Sequence, residues 1–392
     1  MCDMDQGPKG RRRLTLRDLA ESLGVSKTTI SNAFSRPDQL SPDLRDRVLE
    51  AARAAGYAGP DPVARMLRTG RAGALGLVLP ESLPYALDDP ATNELIRGIA
   101  DACEERRLGL LIIPGAIRAR DPRDIIDVAV DGFIAYSLPR DVPVLAQLLV
   151  RGAPVVIVDE PRMAGVPTVR VDDRAGARMA AEHLVQLGHR RFGIVALPFK
   201  PDGYTGPGIA GRVSESTFDV STRRLEGYLA ALGEAGLSAD DVQIYECAHS
   251  NADLGEQAAH SLLGGPDPVT AILAMSDRLA LGVLAAAREL RVDIPQQLSV
   301  VGFDDIAAAA HSRPSLTTVH QSLRLKGYAA ARLLLDAPGA SGAVAGRAAA
   351  PAAEPVRDEL DLPVELMVRR STALVGTGGS RADTGRPLPR SS

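Results

Sequence analysis

The sequence predicts two kinds of structure in one chain: a small all-helical module, then a long α/β body folded as two lobes with parallel sheets. Three observations carry this reading. Apolar residues recur at helical spacing through the first fifty-odd residues, with capping and breaking residues between the runs. From Ala74 onward, short runs of Val, Leu, Ile and Ala alternate with amphipathic stretches, the pattern of strands buried on both faces. Charge divides at the same place: residues 1–71 carry 13 Lys and Arg against 9 Asp and Glu, a net +4, and the remainder carries −8. A basic end on an acidic body is what a small phosphate-facing module attached to other machinery would show, although a solvated basic tail would show it too.

A chain of 392 residues has room for two or three domains. At 45% hydrophobic and 24% charged it is not a wholly disordered polymer. With 6 Phe, 7 Tyr and no Trp, its core must be built from aliphatic residues. Only Lys9, Lys27, Lys200 and Lys326 are lysines among 45 basic residues, a skew that reads as coding bias. No apolar run reaches the ~18 residues of a membrane span, and MCDMDQGPKGRRR lacks the apolar segment of a secretory signal. Cys2, Cys103 and Cys247 form no CxxC pair. The expectation is a soluble, cytoplasmic chain with no membrane partner, no metal and no cofactor.

The module reads element by element. Thr15 caps a first helix in which Leu14, Leu16, Leu19, Ala20 and Leu23 recur, and Gly24 ends it. Ser26 caps a second helix from about Lys27 to Phe34. Ser41-Pro42 opens a third that runs through Leu44, Val48, Leu49 and Ala52 to Gly56. Helix, tight glycine turn, helix and supporting helix is a helix-turn-helix, whose second helix enters the DNA major groove. That helix turns Lys27, Thr28, Thr29, Ser31 and Asn32 outward and Val25, Ile30 and Ala33 inward, with no acidic residue from Gly24 to Phe34. A three-helix cluster used for protein contacts would share the pattern.

The stretch TLRDLAESLGVSKTTISNAFSRPDQLSPDLRDRVLEAARAAGY (15–57) resembles the N-terminal domain of the lactose-repressor (LacI/GalR) family of bacterial transcription regulators, and PDPVARMLRTGR (60–71) resembles its hinge helix. The resemblance implies that Lys27, Thr28 and Asn32 face base edges and that Thr15, Ser26, Thr29 and Ser31 hold phosphates. It also implies that Ala64 and Leu67 work in the minor groove, Leu67 as an apolar wedge at the operator centre.

The body continues with strands at 74–80, 108–114, 131–137 and 153–159 and helices between them. After a crossing near 160–172 come helix 173–187, strand 191–197, helix 222–235, strand 242–247, helix 252–263, strand 269–274, helix 277–291 and strand 298–302. VRVDDRAGARMAAEHLVQLGHRRFGIV, AILAMSDRLALGVLAAARELRVDIPQQLSVVGFDD and PSLTTVHQ resemble the family's effector domain, of the type I periplasmic-binding-protein fold. The helix 322–336 returns to the first lobe, and LPVELMVRRST (362–372) looks like the last strand of the second. The division expected is a basic arm (1–13), the helix-turn-helix domain (14–59), the hinge helix (60–71) and an effector and dimerisation domain (72–375). Its first lobe takes about 73–160 and 321–336, and its second about 161–319 and 362–375. A flexible insertion (337–361) and a disordered tail (376–392) complete the chain.

The resemblance places Arg224, in RRLEGY, and Asp304, in GFDD, against an effector between the lobes, where charged side chains bind hydroxyl groups well. Ser276 stands where many members carry Asn and reaches less far. Tyr85 and Tyr136 are effector candidates as well, and stacking on a ligand is left open among these two, Phe199, Tyr204 and Phe218. GPGIAG (206–211) spells GxGxxG but joins no strand to a helix, so it reads as a flexible loop rather than a dinucleotide site. His183 and His189 lack metal-ligand spacing, and His183 reads as packed core. No GxSxG elbow supports a catalytic triad, so the chain is expected not to be an enzyme. A transport receptor lacking DNA function and an α/β enzyme are the competing classes. The function implied is a repressor that binds a palindromic operator in double-stranded DNA as a homodimer, switched by a small, carbohydrate-like effector.

Overall fold

The computed structural model describes residues 15–35, 37–57, 59, 66, 70–115, 125, 127–337 and 359–375. The chain divides into two units, residues 1–72 and 73–392.

The first unit holds three helices, α1 (Leu16–Leu23), α2 (Lys27–Ser35) and α3 (Pro42–Ala54), with a short 3-10 turn at Pro37–Gln39. Thr15 and Asp18 close a reciprocal capping box at the start of α1, each satisfying the other's backbone N–H. Gly24 ends α1 in the left-handed region at φ 64°, where a side chain would be strained. Leu19 and Ala20 of α1, Ile30 and Ala33 of α2, and Val48 and Ala52 of α3 form a buried cluster. Phe34 and Tyr57 meet edge to face beside it, ring centroids 5.8 Å apart. Burying Ile30 and Ala33 leaves Lys27 and Thr28 exposed in the first turn of α2 and Ser31 and Asn32 half-buried.

The second unit contains two sheets. In chain order its elements are β1 (Ala74–Val78), α4 (Leu83–Asp88), α5 (Pro90–Arg106), β2 (Gly109–Ile113), β3 (Phe133–Tyr136), α6 (Pro143–Val150), β4 (Val155–Val158), β5 (Thr168–Val171), α7 (Asp173–Gln186), β6 (Phe192–Ala196), β7 (Gly206–Pro207), α8 (Ala210–Ser214) and α9 (Asp219–Glu234). There follow β8 (Gln243–Glu246), α10 (Ala252–Leu263), β9 (Ala271–Ala274), α11 (Asp277–Glu289), β10 (Ser299–Asp304), α12 (Ala307–His311), β11 (Thr317–Gln321), α13 (Leu323–Asp336), β12 (Glu359–Leu362) and β13 (Val364–Met367). The first sheet runs β12-β5-β4-β3-β1-β2, all parallel. The second runs β13-β11-β10-β9-β6-β8-β7, parallel except where β13 and β7 join its two edges antiparallel.

Each sheet is covered on both faces, as parallel sheets require. Leu95, Ile99 and Ala102 of α5 pack with Ala330, Ala331 and Leu334 of α13 on one face of the first sheet, and α6 covers the other. On the second sheet, α7 and α9 cover one face and α10 and α11 the other. Helices α5 and α13 touch backbone to backbone: a Cβ on Gly98 would lie 1.8 Å from the Arg324 carbonyl oxygen, and one on Gly327 would lie 2.1 Å from that of Leu95.

The chain passes between the sheets three times, at Asp172, at Ser322 and at Pro363. This differs from the lobe boundaries read from sequence. Residues 161–171 were expected in the second lobe, yet β5 belongs to the first sheet. Residues 337–361 were expected to be a flexible insertion, yet β12 begins at Glu359 and forms the edge of that same sheet. The reason is polar: Arg170 of β5 binds Asp361 at 2.6 Å and Glu359 at 3.0 Å, so charge pairing between edge strands replaces the apolar run that marks a strand in sequence. GPGIAG is likewise not a flexible loop. Gly206 and Pro207 pair with β8, the Gly208 amide donates to the Ile244 carbonyl at 2.7 Å, and α8 follows.

Candidate nucleic-acid interface and ligand cleft

In the first unit, Ser26 Oγ accepts from the Thr29 amide at 3.0 Å and lies 2.8 Å from the Thr29 hydroxyl, capping α2. Lys27 and Thr28 are exposed in the first turn of this helix, and Thr29, Ser31 and Asn32 are half-buried. Asn32 Nδ2 donates to Gln39 Oε1 at 3.1 Å. Thr15 gives both its hydroxyl and its amide to the Asp18 carboxylate, at 2.8 and 2.9 Å. Thr28 and Asn32 lie one turn apart on the same face of α2, with Ser26 capping its start and Lys27 exposed in its first turn. Ala64 and Leu67, and the basic arm 1–13, lie outside the described residues.

The second unit gathers polar groups where the carboxyl ends of both sheets meet, the usual ligand position of open α/β sheets. Arg224 of α9 is buried. Its Nε donates to Asp173 Oδ1 at 2.8 Å, Nη1 donates to the Met275 carbonyl and lies 3.7 Å from Asp304 Oδ1, and the guanidinium sits 3.6 Å over the Phe303 ring. Asp304 ends β10 at φ 116°, a conformation strained for any residue with a side chain. Burial pushes its carboxyl up to about 7, against the lowering pull of Arg224. Gln321 Nε2 donates to it at 2.6 Å. The Tyr136 hydroxyl, at the end of β3, is raised by burial and by the carboxylates of Asp159, Asp89 and Asp304. Arg224, Asp304 and Tyr136 therefore occupy one polar site.

Tyr85 and Ser276 meet in a second group. Tyr85 Oη donates to the Ser250 carbonyl at 3.2 Å and accepts from its amide at 2.9 Å, joining α4 of the first lobe to the loop after β8. Ser276 caps α11 through the Leu279 amide and lies 2.7 Å from Ser250 Oγ. Arg278 sits 5.6 Å above the Tyr85 ring and 3.8 Å from Asp89, and His249 lies 3.6 Å from Glu81. Asp89 links the two groups, since its charge acts on Tyr85, Tyr136 and Asp304 alike. The other aromatic candidates lie elsewhere: Phe199 is in the core, Phe218 is buried at the start of α9, and the Tyr204 ring is covered by Arg212 at 4.2 Å. His183 is half-buried and lies 3.0 Å from the Thr372 hydroxyl rather than being sealed in apolar core. Among the described residues no His, Cys, Asp and Glu cluster could hold a metal ion, and no helix is long and apolar enough to cross a membrane.

The chain matches the description "bacterial regulatory proteins, lacI family" over residues 15–59 and the periplasmic binding protein-like domain over 181–372. It is 43% identical over 335 residues to the HTH-type transcriptional regulator Rv3575c of Mycobacterium tuberculosis, covering 84% of this chain and 93% of that one. The chain belongs to the LacI family. A LacI-family regulator from Corynebacterium glutamicum has a solved structure that superposes with a TM-score of 0.68 at 31% identity, covering 93% of this chain and 100% of that one. The solved CelR–cellobiose complex superposes at 0.62 with 30% identity, covering 92% of this chain and 100% of that one. This LacI-family chain is a transcriptional regulator that binds DNA through its helix-turn-helix domain, followed by a periplasmic-binding-protein-like body. Of this polar group, Arg224, Asp304 and Tyr136 were candidates from sequence, whereas Asp159, Asp173, Gln321, Lys326 and Glu160 were not.

Glu160 follows β4 in the first lobe and reaches the second, accepting from the Val220 amide at 2.9 Å and from the Ser137 hydroxyl at 3.0 Å. Burial pushes its carboxyl up to about 8 from 4.5, with Asp159 and Asp219 adding to the rise. A folded carboxyl that keeps its proton longer than the unfolded one contributes stability in full below about pH 4.5 and loses it as the pH climbs to about 8. Urea midpoints measured from pH 5 to 9 should fall with pH, and Glu160→Gln, which cannot ionise, should flatten that fall. Parallel curves for the two proteins would show that Glu160 is not responsible.

Proposed function

We propose that this regulator is a repressor that binds a palindromic operator as a homodimer and is switched by a small polyhydroxylated effector held between its lobes. The observation that carries the effector half is the buried Arg224–Asp304 pair beside the Tyr136 hydroxyl. Charged groups beside the carboxyl end of a sheet suit a ligand rich in hydroxyls, and the similar CelR is solved with cellobiose. Tyr85 and Ser276, joined through Ser250, form the rim of the same cleft. A thermal-shift panel of mono- and disaccharides, cellobiose included, should raise the melting temperature for at least one member. No shift from any member, set beside an Arg224→Met control, would remove the sugar reading.

For DNA, the reading gives Lys27, Thr28 and Asn32 to base edges and Ser26, Thr29 and Ser31 to phosphates, with Ala64 and Leu67 in the minor groove. Thr15 can join the phosphate set only by exchanging its Asp18 partner for a phosphate oxygen. Selection of bound sites from random DNA at about 100–150 mM salt, where non-specific binding is weak, should enrich an inverted repeat. No enrichment, with or without metabolite extract, would overturn the reading. Against the selected site, Asn32→Ala should cost about 1–3 kcal/mol and relax preference at one position per half-site. Unchanged preference in that variant would take Asn32 out of the reading set.

A further inference from the structure

Lys326, on α13 of the first lobe, has a side chain only 1% exposed. A buried ammonium costs several kcal/mol unless its surroundings match it, and here two groups do. Nζ donates to Asp159 Oδ1 at 2.6 Å and to Gln321 Oε1 at 2.5 Å. Asp159 follows β4 of the first lobe and sits in the left-handed region at φ 67°. Gln321 ends β11 of the second lobe, one residue before the chain crosses at Ser322. Its amide has no freedom to flip. With its oxygen on the ammonium, its nitrogen is directed at Asp304; reversed, N–H would face N–H and oxygen would face carboxylate.

A line of polar contacts then runs from Asp159 through Lys326, Gln321 and Asp304 to Arg224 and Asp173, hydrogen-bonded at every step except the 3.7 Å ion pair between Asp304 and Arg224. The line starts in the first lobe and ends in the second. It passes next to two of the three crossings, since Asp173 directly follows the one at Asp172.

The geometry points to Lys326 as a positioning residue of the effector cleft: it fixes the orientation of Gln321, which holds the Asp304 carboxylate, and it ties that carboxylate to Asp159 in the opposite lobe. The inference rests on the cleft being the effector site. Its consequence is that a ligand drawing on Asp304 disturbs the anchorage of the second crossing, although Lys326 itself need not touch the ligand. A Lys326 that merely neutralised Asp159 would leave Asp304 indifferent to it.

Hydrogen exchange read by mass spectrometry on the full chain, without effector, separates the two roles. Gln321→Met keeps the side-chain length but takes away the second acceptor of the Lys326 ammonium, so the tie that holds Asp159 is left with one partner; Lys326→Met removes the charge. Each should speed exchange about tenfold in peptides spanning 302–306 and 157–160, the effect of losing one charge-assisted hydrogen bond. The double variant should be no faster over 302–306 than the faster single one, and peptides within 15–57 should keep their wild-type rates. The inference is overturned if Gln321→Met leaves 157–160 at the wild-type rate, or if the two effects multiply over 302–306. Should Lys326→Met fail to fold, the first of these comparisons decides alone. Because the readout needs no ligand, this result stands apart from the sugar panel, which tests the effector reading itself.

Discussion

Replacing Arg224 with Met is expected to destabilise the second unit by about 3–5 kcal/mol and to abolish any response to effector. The magnitude follows from what the substitution leaves behind rather than from the contact it deletes. Asp173 and Asp304 are both buried against the guanidinium, and an uncompensated buried carboxylate carries a cost of that order. The Met275 carbonyl also loses its donor. Asp304 has a partial remedy: its carboxyl already titrates near 7 and keeps Gln321, so it can take up a proton. Asp173 loses the guanidinium that donates to it at 2.8 Å. Combining Arg224→Met with Asp173→Leu should therefore recover part of the loss by removing charge and countercharge together. Urea melts of the three proteins would check this, with the midpoints compared at one pH. A loss below about 1 kcal/mol for Arg224→Met would show that water reaches the pair.

The second large effect concerns DNA. If two subunits together neutralise roughly 6–10 phosphates, affinity for the selected site should fall about 10³–10⁵-fold between 50 and 200 mM salt. The charges available for this are concentrated in the first unit, where Lys27 is exposed on α2 while Arg17 is already held by Glu21 at 2.8 Å. Lys27→Ala should reduce the salt slope by about one if its ammonium lies on a phosphate, and should leave the slope alone while changing sequence preference if it lies on a base. Fluorescence anisotropy at four or five salt concentrations suffices. A flat dependence would contradict charge-driven binding altogether.

The sequence was legible where burial and backbone geometry left a local mark. Ser26, Ser41-Pro42 and Gly24 mark helix ends because the capping and left-handed positions accept few residues. ALGLV, FIAY and VVIV stand out because both faces of those strands are covered. The strands TVRV and ELDL were not legible, because Arg170, Glu359 and Asp361 interrupt the apolar pattern and their reason for doing so is nearly two hundred residues away. The cleft divides in the same way. Arg224 and Asp304 emerged from the resemblance of their surrounding motifs, not from any local rule. Lys326 left a mark that went unread: a lone lysine on the buried side of the apolar helix LRLKGYAAARLLLD, in a chain with only four lysines. Gln321 and Asp173 left none, since a polar residue beside a crossing looks like any loop residue.

The three crossings also bear on how the protein is made. Each sheet is finished by a strand from the far end of the chain: β12 adds Glu359–Leu362 beside β5, and β13, one residue later, adds Val364–Met367 beside β11. On the ribosome, the helix-turn-helix unit has its whole core once Tyr57 has left the exit tunnel. Both lobes must wait, each with an unpaired edge exposed, until some three hundred further residues have been added. Such edges invite pairing with other chains. For a period in every molecule's synthesis, a helix-turn-helix unit with its core complete thus precedes a body whose two sheets each still lack a strand.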